Sequence, residues 1–204
     1  MAIHNPNRKK VLGHGIITNY IDQGHTNITK EKAYRYWMNI LYRCFNSEYI
    51  KEHPLCKDTT VCTEWLDYAN FKKWYDKNYY NIDKQKMILV SDLYGSKKFC
   101  PETSFFLPDA INRVFQTYSK KVAGSDLPKG ITIKPYQAYG VQIYVYTVAI
   151  QAKYIGIYSD RKEAMQVWQG AKQNQLDALI TKYEAEIPQN VIDILRNYKF
   201  EIKD

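Results

Sequence analysis

The chain has 204 residues, of which 45% are hydrophobic, and a formal net charge of +8, so it can form one large domain or two small ones with buried cores. It holds no run close to the roughly 20 apolar residues that span a bilayer and no apolar N-terminal stretch typical of a secretory signal, which predicts a cytoplasmic protein with no membrane segment. The positive charge suits a phosphate backbone or an acidic protein surface as a partner.

Polar residues dominate the first 29 positions and predict an N-terminal arm. The candidate binding element of this arm is its basic run, Arg8, Lys9 and Lys10. From Lys30 to Asn46 apolar residues recur at helical spacing, which predicts a helix. The polar stretch 47–61 predicts a loop, and Glu64 to Tyr79 predicts a second helix with an aromatic face.

Two short apolar runs in the middle of the chain, Met87 to Val90 and Phe105 to Leu107, predict short strands. Pro108 to Tyr118 predicts a helix, and Ser119 to Asp126, which ends in Gly-Ser-Asp, predicts a linker. Lysines in this region are further candidate contacts for a partner: Lys97, Lys98, Lys120 and Lys121.

The last third of the chain predicts three antiparallel strands, at 130–134, 141–150 and 153–158, followed by a long helix that Asp160 caps and a short helix after Pro188. Alternation in the middle strand predicts that Val141, Ile143 and Val145 are buried. The candidate contacts of this region are the side chains expected on the exposed strand face: Gln142, Tyr144, Tyr146 and Lys153.

Neither the cysteines nor the histidines predict a metal site. The four cysteines lack the Cys-x2-Cys spacing of a zinc site, so we expect reduced and mostly buried thiols. Three of the four histidines lie in the N-terminal segment, and His53 alone lies further along the chain. We therefore expect no cofactor.

Four segments, in a fixed order, resemble the small HNH-type endonucleases carried by many phages. The segments look like the opening helix of that family and like its Thr-Val-Cys-x-Glu-Trp, Asn-Phe-x-x-Trp-Tyr and Phe-Val-Pro-x-x-Ile-Asn motifs. They are Tyr36 to Phe45, Thr60 to Trp65, Asn70 to Tyr75 and Phe106 to Asn112. The resemblance implies a helix-rich domain with a short β-ribbon over residues 30–118.

The segment from Met87 to Ser104 looks like the catalytic motif of that family, which reads His-Leu-Asp-Lys-Asp and later Pro-Glu. Aligned on Asp92 and Pro101-Glu102, the chain has Ile88 in place of the histidine, Val90 in place of the first aspartate and Ser91 in place of the basic residue. HNH enzymes use the histidine as general base and a divalent cation at the scissile phosphate. The resemblance thus implies an inactive site with three vestigial positions, Asp92, Glu102 and Asn112.

The residues from 127 to the end resemble an Apetala-type DNA-binding domain, in which three antiparallel strands lie on one helix. Three segments carry this resemblance: Leu127 to Ile133, Lys153 to Tyr158 and Asp160 to Ala171. Thr147 and Ala149 stand where that family presents arginines to the major groove. Arginine to guanine is the commonest specific base contact, so the usual sequence readout is weakened.

The expected fold is therefore α+β. It comprises an arm (1–29), a degenerate HNH-like domain (30–118), a linker (119–126) and a three-stranded antiparallel sheet packed on a long helix (127–204).

Three functions are open at this point. The first is a phage-encoded, catalytically inactive protein that binds DNA, or a host DNA-handling or defence complex, and blocks it in the host cytoplasm. The second is an active endonuclease that uses Mg²⁺ with an altered site built from Asp92, Glu102, Asn112 and His53. The third is a regulator that binds DNA through its C-terminal domain.

Overall fold

The structure is a computed structural model that describes residues 10–18, 28–91, 93, 96–115 and 127–200. The predicted α+β class is confirmed. Its α-helices are α1 (Lys32–Phe45), α2 (Ser47–Glu52), α3 (Tyr68–Asn78), α4 (Asp109–Asn112), α5 (Arg161–Tyr183) and α6 (Gln189–Asn197). Its strands are β1 (Thr60–Val61), β2 (Met87–Val90), β3 (Lys98–Phe99), β4 (Phe105–Pro108), β5 (Ile131–Ala138), β6 (Val141–Ile150) and β7 (Lys153–Tyr158). Among the described residues, no helix has the length and apolar character needed to cross a membrane.

The chain forms two compact units. The first comprises Met1–Asn81 and Met87–Leu107, and the second comprises Ile82–Lys86 and Pro108–Asp204. Helix α4, which the sequence assigns to the HNH-like domain, therefore belongs to the second unit. The predicted linker lies among residues 116–126, outside the described residues.

Side-chain caps mark the starts of α2 and α3 in the first unit. The side chain of Asn46 accepts a hydrogen bond from the backbone N–H of Tyr49 at 2.8 Å and so starts α2 directly after α1. The predicted loop at 47–61 is therefore wrong over its first six residues. The Asp67 carboxylate accepts from Ala69 N–H at 3.0 Å and starts α3 at Tyr68, four residues later than expected.

The core of the first unit is aromatic. The Trp37 ring of α1 is fully buried, and its Nε1–H donates to the carbonyl oxygen of Trp65 at 2.7 Å. The backbone at Gly15 packs directly on this helix, because a Cβ there would lie 2.6 Å from Leu41 Cδ1 and 2.8 Å from a Trp37 ring carbon. Large aromatic side chains thus fill the core at the positions where the helical spacing predicts buried residues.

The second unit holds the antiparallel sheet β5-β6-β7 packed against α5, as predicted. Two-residue turns join the strands, and both residues of the β5–β6 turn, Tyr139 and Gly140, have positive φ. Such turns match the twist of the paired strands. The Asp160 carboxylate caps α5 as expected by accepting from Glu163 N–H at 2.7 Å.

The register of the sheet shows which face α5 covers. Ile131, Val148 and Gly156 lie side by side across the three strands, and Ile131 and Val148 are buried. Since side chains alternate along a strand, Gln142, Tyr144 and Tyr146 share this covered face. The odd-numbered residues of β6 point the other way.

The prediction of a buried face formed by Val141, Ile143 and Val145 is correct only for Val145. Val141 is 61% exposed, and Ile143 is also exposed. The hairpin of β5 and β6 extends further than the sequence indicates, because β5 continues from Lys134 to Ala138. Its tip is exposed on both faces.

Candidate functional site

Strand β2 carries the positions that the HNH resemblance makes catalytic. Met87 and Leu89 are buried, whereas Ile88 and Val90 alternate onto the opposite face and are half-buried. The carbonyl of Met87 accepts a hydrogen bond from the Tyr36 hydroxyl at 2.7 Å, which ties the strand to α1. The two positions where the family has an imidazole and a carboxylate thus share one face, and here both are aliphatic.

The three positions that the resemblance makes vestigial are Asp92, Glu102 and Asn112. Glu102 is exposed in the turn before β4, and a hydrogen bond from the Cys100 side chain lowers the pKa of its carboxyl group. Asn112 is the last residue of α4 in the second unit. Asp92 lies outside the described residues. Within the described part of the chain, no three His, Cys, Asp or Glu side chains form a group that could hold a metal ion.

His53 is accounted for by local structure. Its ring stacks on Tyr49 with the centroids 4.1 Å apart, and its Nδ1 lies 3.0 Å from the Tyr49 carbonyl oxygen. It thereby ends α2. These contacts hold the ring against its own helix.

The basic candidates of the first unit are only partly described. Arg8, Lys9, Lys120 and Lys121 lie outside the described residues. Lys10, Lys97 and Lys98 are exposed. The Lys97 ammonium donates to the backbone carbonyl oxygen of Lys57 at 2.8 Å, which brings a further exposed lysine residue close in the fold. Sequence reasoning missed Lys57 because the parallel pairing of β1 and β3 brings the two segments together.

The C-terminal candidates lie on or near the sheet. Gln142 and Tyr144 are exposed, Tyr146 is half-buried and Lys153 is exposed at the start of β7. The first three belong to the face that α5 covers, although the hairpin extends beyond the helix and leaves Tyr144 57% exposed. They do not form the free face of the sheet that the sequence predicts.

The free face of the sheet, called the open face below, is apolar. It is formed by the side chains that alternate away from the row of Ile131 and Val148: Thr132, Lys134, Tyr136, Val141, Ile143, Val145, Thr147, Tyr154 and Ile157. Val145 on this face is buried. Nine of the eleven large hydrophobic side chains that are exposed in the described chain lie between Ile133 and Ile157. Five of the nine belong to the open face: Tyr136, Val141, Ile143, Tyr154 and Ile157. A concentration of this kind marks an interaction site in a folded protein.

Sequence reasoning missed the open face, because the middle strand has apolar residues at both odd and even positions. One signal was available. Residues 127–159 contain three lysines, six tyrosines and no aspartate or glutamate. A strand region free of carboxylates and rich in tyrosine has the composition of an interface rather than of a solvated surface.

Buried polar groups of the second unit have a structural role. The Lys172 ammonium of α5 is buried and donates to the carbonyl oxygen of Val114 at 2.7 Å. Burial, and the nearby Lys129, lower the pKa of Lys172. This contact joins the turn after α4 to α5.

The cysteines are all free, as expected. Cys100 is buried and the other three are half-buried. Burial raises the pKa of the Cys44 thiol to about 12. That thiol stays protonated near neutral pH and is a poor nucleophile.

Comparisons with known proteins add no relative. No family model matches the chain, and no curated protein or solved structure matches it.

Proposed function

We propose that this chain is a phage-encoded, HNH-like binding protein that does not cut DNA. It acts in the cytoplasm of an infected bacterial host. There it engages DNA or a host complex that handles DNA or defends the cell, and it blocks that target. The observation that carries this proposal is the shared aliphatic face of Ile88 and Val90 on β2.

The chemistry of hydrolysis supports this reading. A general base must accept a proton from water, and a divalent cation requires several oxygen ligands. Neither Ile88 nor Val90 has an atom that can do either. Strand alternation puts both side chains on one face of β2, and the resemblance gives these two positions to the general base and to a metal ligand.

A binding role is supported by the surface of the second unit. A protein that only needed to fold would bury its Tyr, Ile and Val side chains or scatter them singly over its surface. Here they are concentrated on one sheet. A blocking protein requires such a surface and no catalytic group.

The alternative, an active endonuclease with an altered site, has one favourable observation. Glu102 is an exposed carboxylate within the motif, and such a group can ligate Mg²⁺. It would then require Asp92 and a replacement base such as His53.

A cleavage assay separates the two functions. Supercoiled plasmid is incubated with the full chain and Mg²⁺ or Mn²⁺, and the nicked and linear forms are measured. We expect no product from the wild type, from Glu102→Ala or from Asp92→Ala. Metal-dependent nicking by the wild type that is lost in Asp92→Ala would sink the proposal and establish the alternative.

A binding measurement follows on the same protein. A salt series with duplex DNA tests whether the chain contacts phosphates, because each contact steepens the loss of affinity with salt. Weak, steeply salt-dependent binding without sequence preference favours a protein target. Tight binding with sequence preference favours DNA.

A further inference from the structure

The parallel pairing of β1 and β3 brings two cysteines side by side at its end. The ladder pairs Val61 with Phe99. The Cys62 N–H then donates to the Phe99 carbonyl oxygen at 2.9 Å, which continues the register to Cys62 opposite Cys100. Pro101 follows and has no N–H with which to return the next bond, so the ladder ends at this pair.

The spacing of the two residues suits a disulfide. Neighbouring strands lie about 4.8 Å apart, and opposite residues of a parallel pair extend their side chains to the same face. Disulfides join cysteines whose Cα atoms are about 4.4–6.8 Å apart. The thiols are also neighbours, since burial raises the pKa of the Cys62 thiol and the Cys100 thiol raises it further.

The two thiols differ in their access to solvent. Cys62 is half-buried, whereas Cys100 is 5% exposed. The Cys100 sulfur is held within the turn by Thr103, whose Oγ1 lies 3.1 Å away. A small reagent therefore reaches Cys62 first, and Cys100 can react with a group already attached to Cys62. Redox-sensitive cysteines commonly pair an accessible thiol with a resolving thiol in this way.

We propose that Cys62 and Cys100 form a reversible disulfide when the chain reacts with a low-molecular-weight disulfide such as oxidised glutathione. This inference goes beyond the proposed function and does not depend on it. The Cys62 thiolate attacks one sulfur of the reagent, whose S–S bond breaks, and a mixed disulfide and one reagent thiolate result. The Cys100 thiolate then attacks the Cys62 sulfur and releases the second reagent thiolate. The two protein thiols lose two protons and two electrons, and the reagent takes them up as two thiols.

The reaction changes the segment that resembles the nuclease motif. It consumes the S–H of Cys100, which donates to the Glu102 carboxylate. It also joins β1 covalently to β3, two strands of two residues each. In a reducing compartment such a pair stays open, and it closes only when the thiol pool becomes oxidised.

The other two cysteines belong to the same unit and provide matched controls. Cys44 lies near the end of α1, and Cys56 lies in the turn Pro54–Cys56 after α2. Their thiols also interact electrostatically, but no backbone hydrogen bond in the described chain sets these two residues side by side. Burial raises the pKa of Cys44 to about 12, which makes it a poor attacking group.

The test equilibrates the full chain with mixtures of reduced and oxidised glutathione. Free thiols are then alkylated, and the digested protein is mapped by mass spectrometry. In the oxidising mixtures we expect the free thiols to fall from four to two and a linked peptide pair to contain Cys62 and Cys100. Dithiothreitol should restore all four thiols.

Single variants separate the two steps. Cys100→Ser should stop at a mixed disulfide between glutathione and Cys62, because no second thiol can displace the reagent. Cys62→Ser should leave Cys100 unmodified, because Cys100 is buried. Cys44→Ser and Cys56→Ser should form the same link in unchanged yield. Circular dichroism of each variant checks that it is folded, and the mapping of the wild type requires no variant.

Three results would overturn the inference. They are a link between any other pair of cysteines, a wild type that keeps glutathione on Cys62 without an internal link, and four free thiols in the most oxidising mixture. None of them bears on the proposed function, which is tested by plasmid cleavage. Cleavage of the plasmid would equally leave the disulfide in place.

Discussion

Strands β2 and β6 are both rich in aliphatic side chains, and they differ in what those side chains do. In β2, Met87 and Leu89 are buried in the core of the first unit, and Ile88 and Val90 on the other face are half-buried. In β6, Val141 and Ile143 are exposed, and they alternate away from the face of the buried Val148. The same residue types are packed in the interior of one unit and exposed on the surface of the other.

The difference shows that hydrophobic composition alone does not distinguish a core from a binding site. Among the described residues of the first unit, Tyr42 and Leu55 are the exposed large hydrophobic side chains, and they lie singly on or after the helices. In the second unit such residues cover a sheet. Isolated exposed apolar residues are ordinary, whereas a contiguous set indicates a partner.

The contrast between core and surface predicts that a core aromatic residue contributes much more to stability than an exposed aromatic residue of the sheet. We expect Trp37→Ala to lower the free energy of unfolding by about 4 kcal/mol, because it opens a cavity and leaves the Trp65 carbonyl unpaired. Tyr136→Ala should change it by less than about 0.5 kcal/mol. Urea denaturation of both variants measures this, and similar losses would contradict the division into core and surface.

The two faces of β6 can be compared with one residue type. Val148 is fully buried under α5, and Val141 is exposed near the hairpin turn of the same strand. We expect Val148→Ala to cost about 2 kcal/mol and Val141→Ala less than about 0.5 kcal/mol. Thermal unfolding followed by circular dichroism reports both, and a larger effect at Val141 would mean that the face assignment is inverted.

The N-cap of α5 gives a smaller effect confined to the second unit. Asp160→Ala removes the acceptor of the Glu163 N–H and should cost about 1 kcal/mol. Asp177→Ala, an exposed aspartate in the middle of α5, is the control and should cost less. Equal costs would show that the cap is not what sets the start of the helix.

The stability of the first unit should depend on pH through the ionisation of Tyr36. Burial, with a contribution from Tyr79, raises the pKa of Tyr36 to about 12 from its usual value of 10. The folded state therefore holds this proton more tightly than the unfolded chain, and the associated stability is present below pH 10 and lost as pH rises towards 12. Tyr36→Phe should cost about 0.5–1 kcal/mol at pH 7, where the bond to the Met87 carbonyl is lost.

Urea titrations of both proteins at several pH values check this expectation. The stability advantage of the wild type over Tyr36→Phe should shrink from pH 10 to 12 and then reverse, because phenylalanine has no proton to lose. Tyrosines away from this cluster titrate in both proteins and cancel, whereas Tyr75 and Tyr79 interact electrostatically with the Tyr36 phenol and contribute to this difference. A stability advantage of the wild type that grows over this range would contradict the conclusion that the Tyr36 phenol is buried and neutral.

The local sequence pattern was sufficient to predict those elements whose signal lies within one segment. The bounds of β6 and β7 and the cap of α5 follow from alternating residues and from an aspartate placed at the start of a helical run. The aliphatic character of positions 88 and 90 is likewise read directly from the chain, since no fold can give Ile88 or Val90 an oxygen or an imidazole.

Tertiary structure decided the rest. Helix α2 is an exception, because its start signal is local: the Asn46 side chain accepts from the Tyr49 N–H three residues later, and the sequence prediction overlooked this cap. The identity of the covered face of β6 could not be read from the strand itself, whose apolar residues occupy both faces. The packing of α5 on the row of Ile131, Val148 and Gly156 determines which face is covered. Burial depends on contacts between distant segments, and the sequence of a single strand does not specify which of its faces another segment will cover.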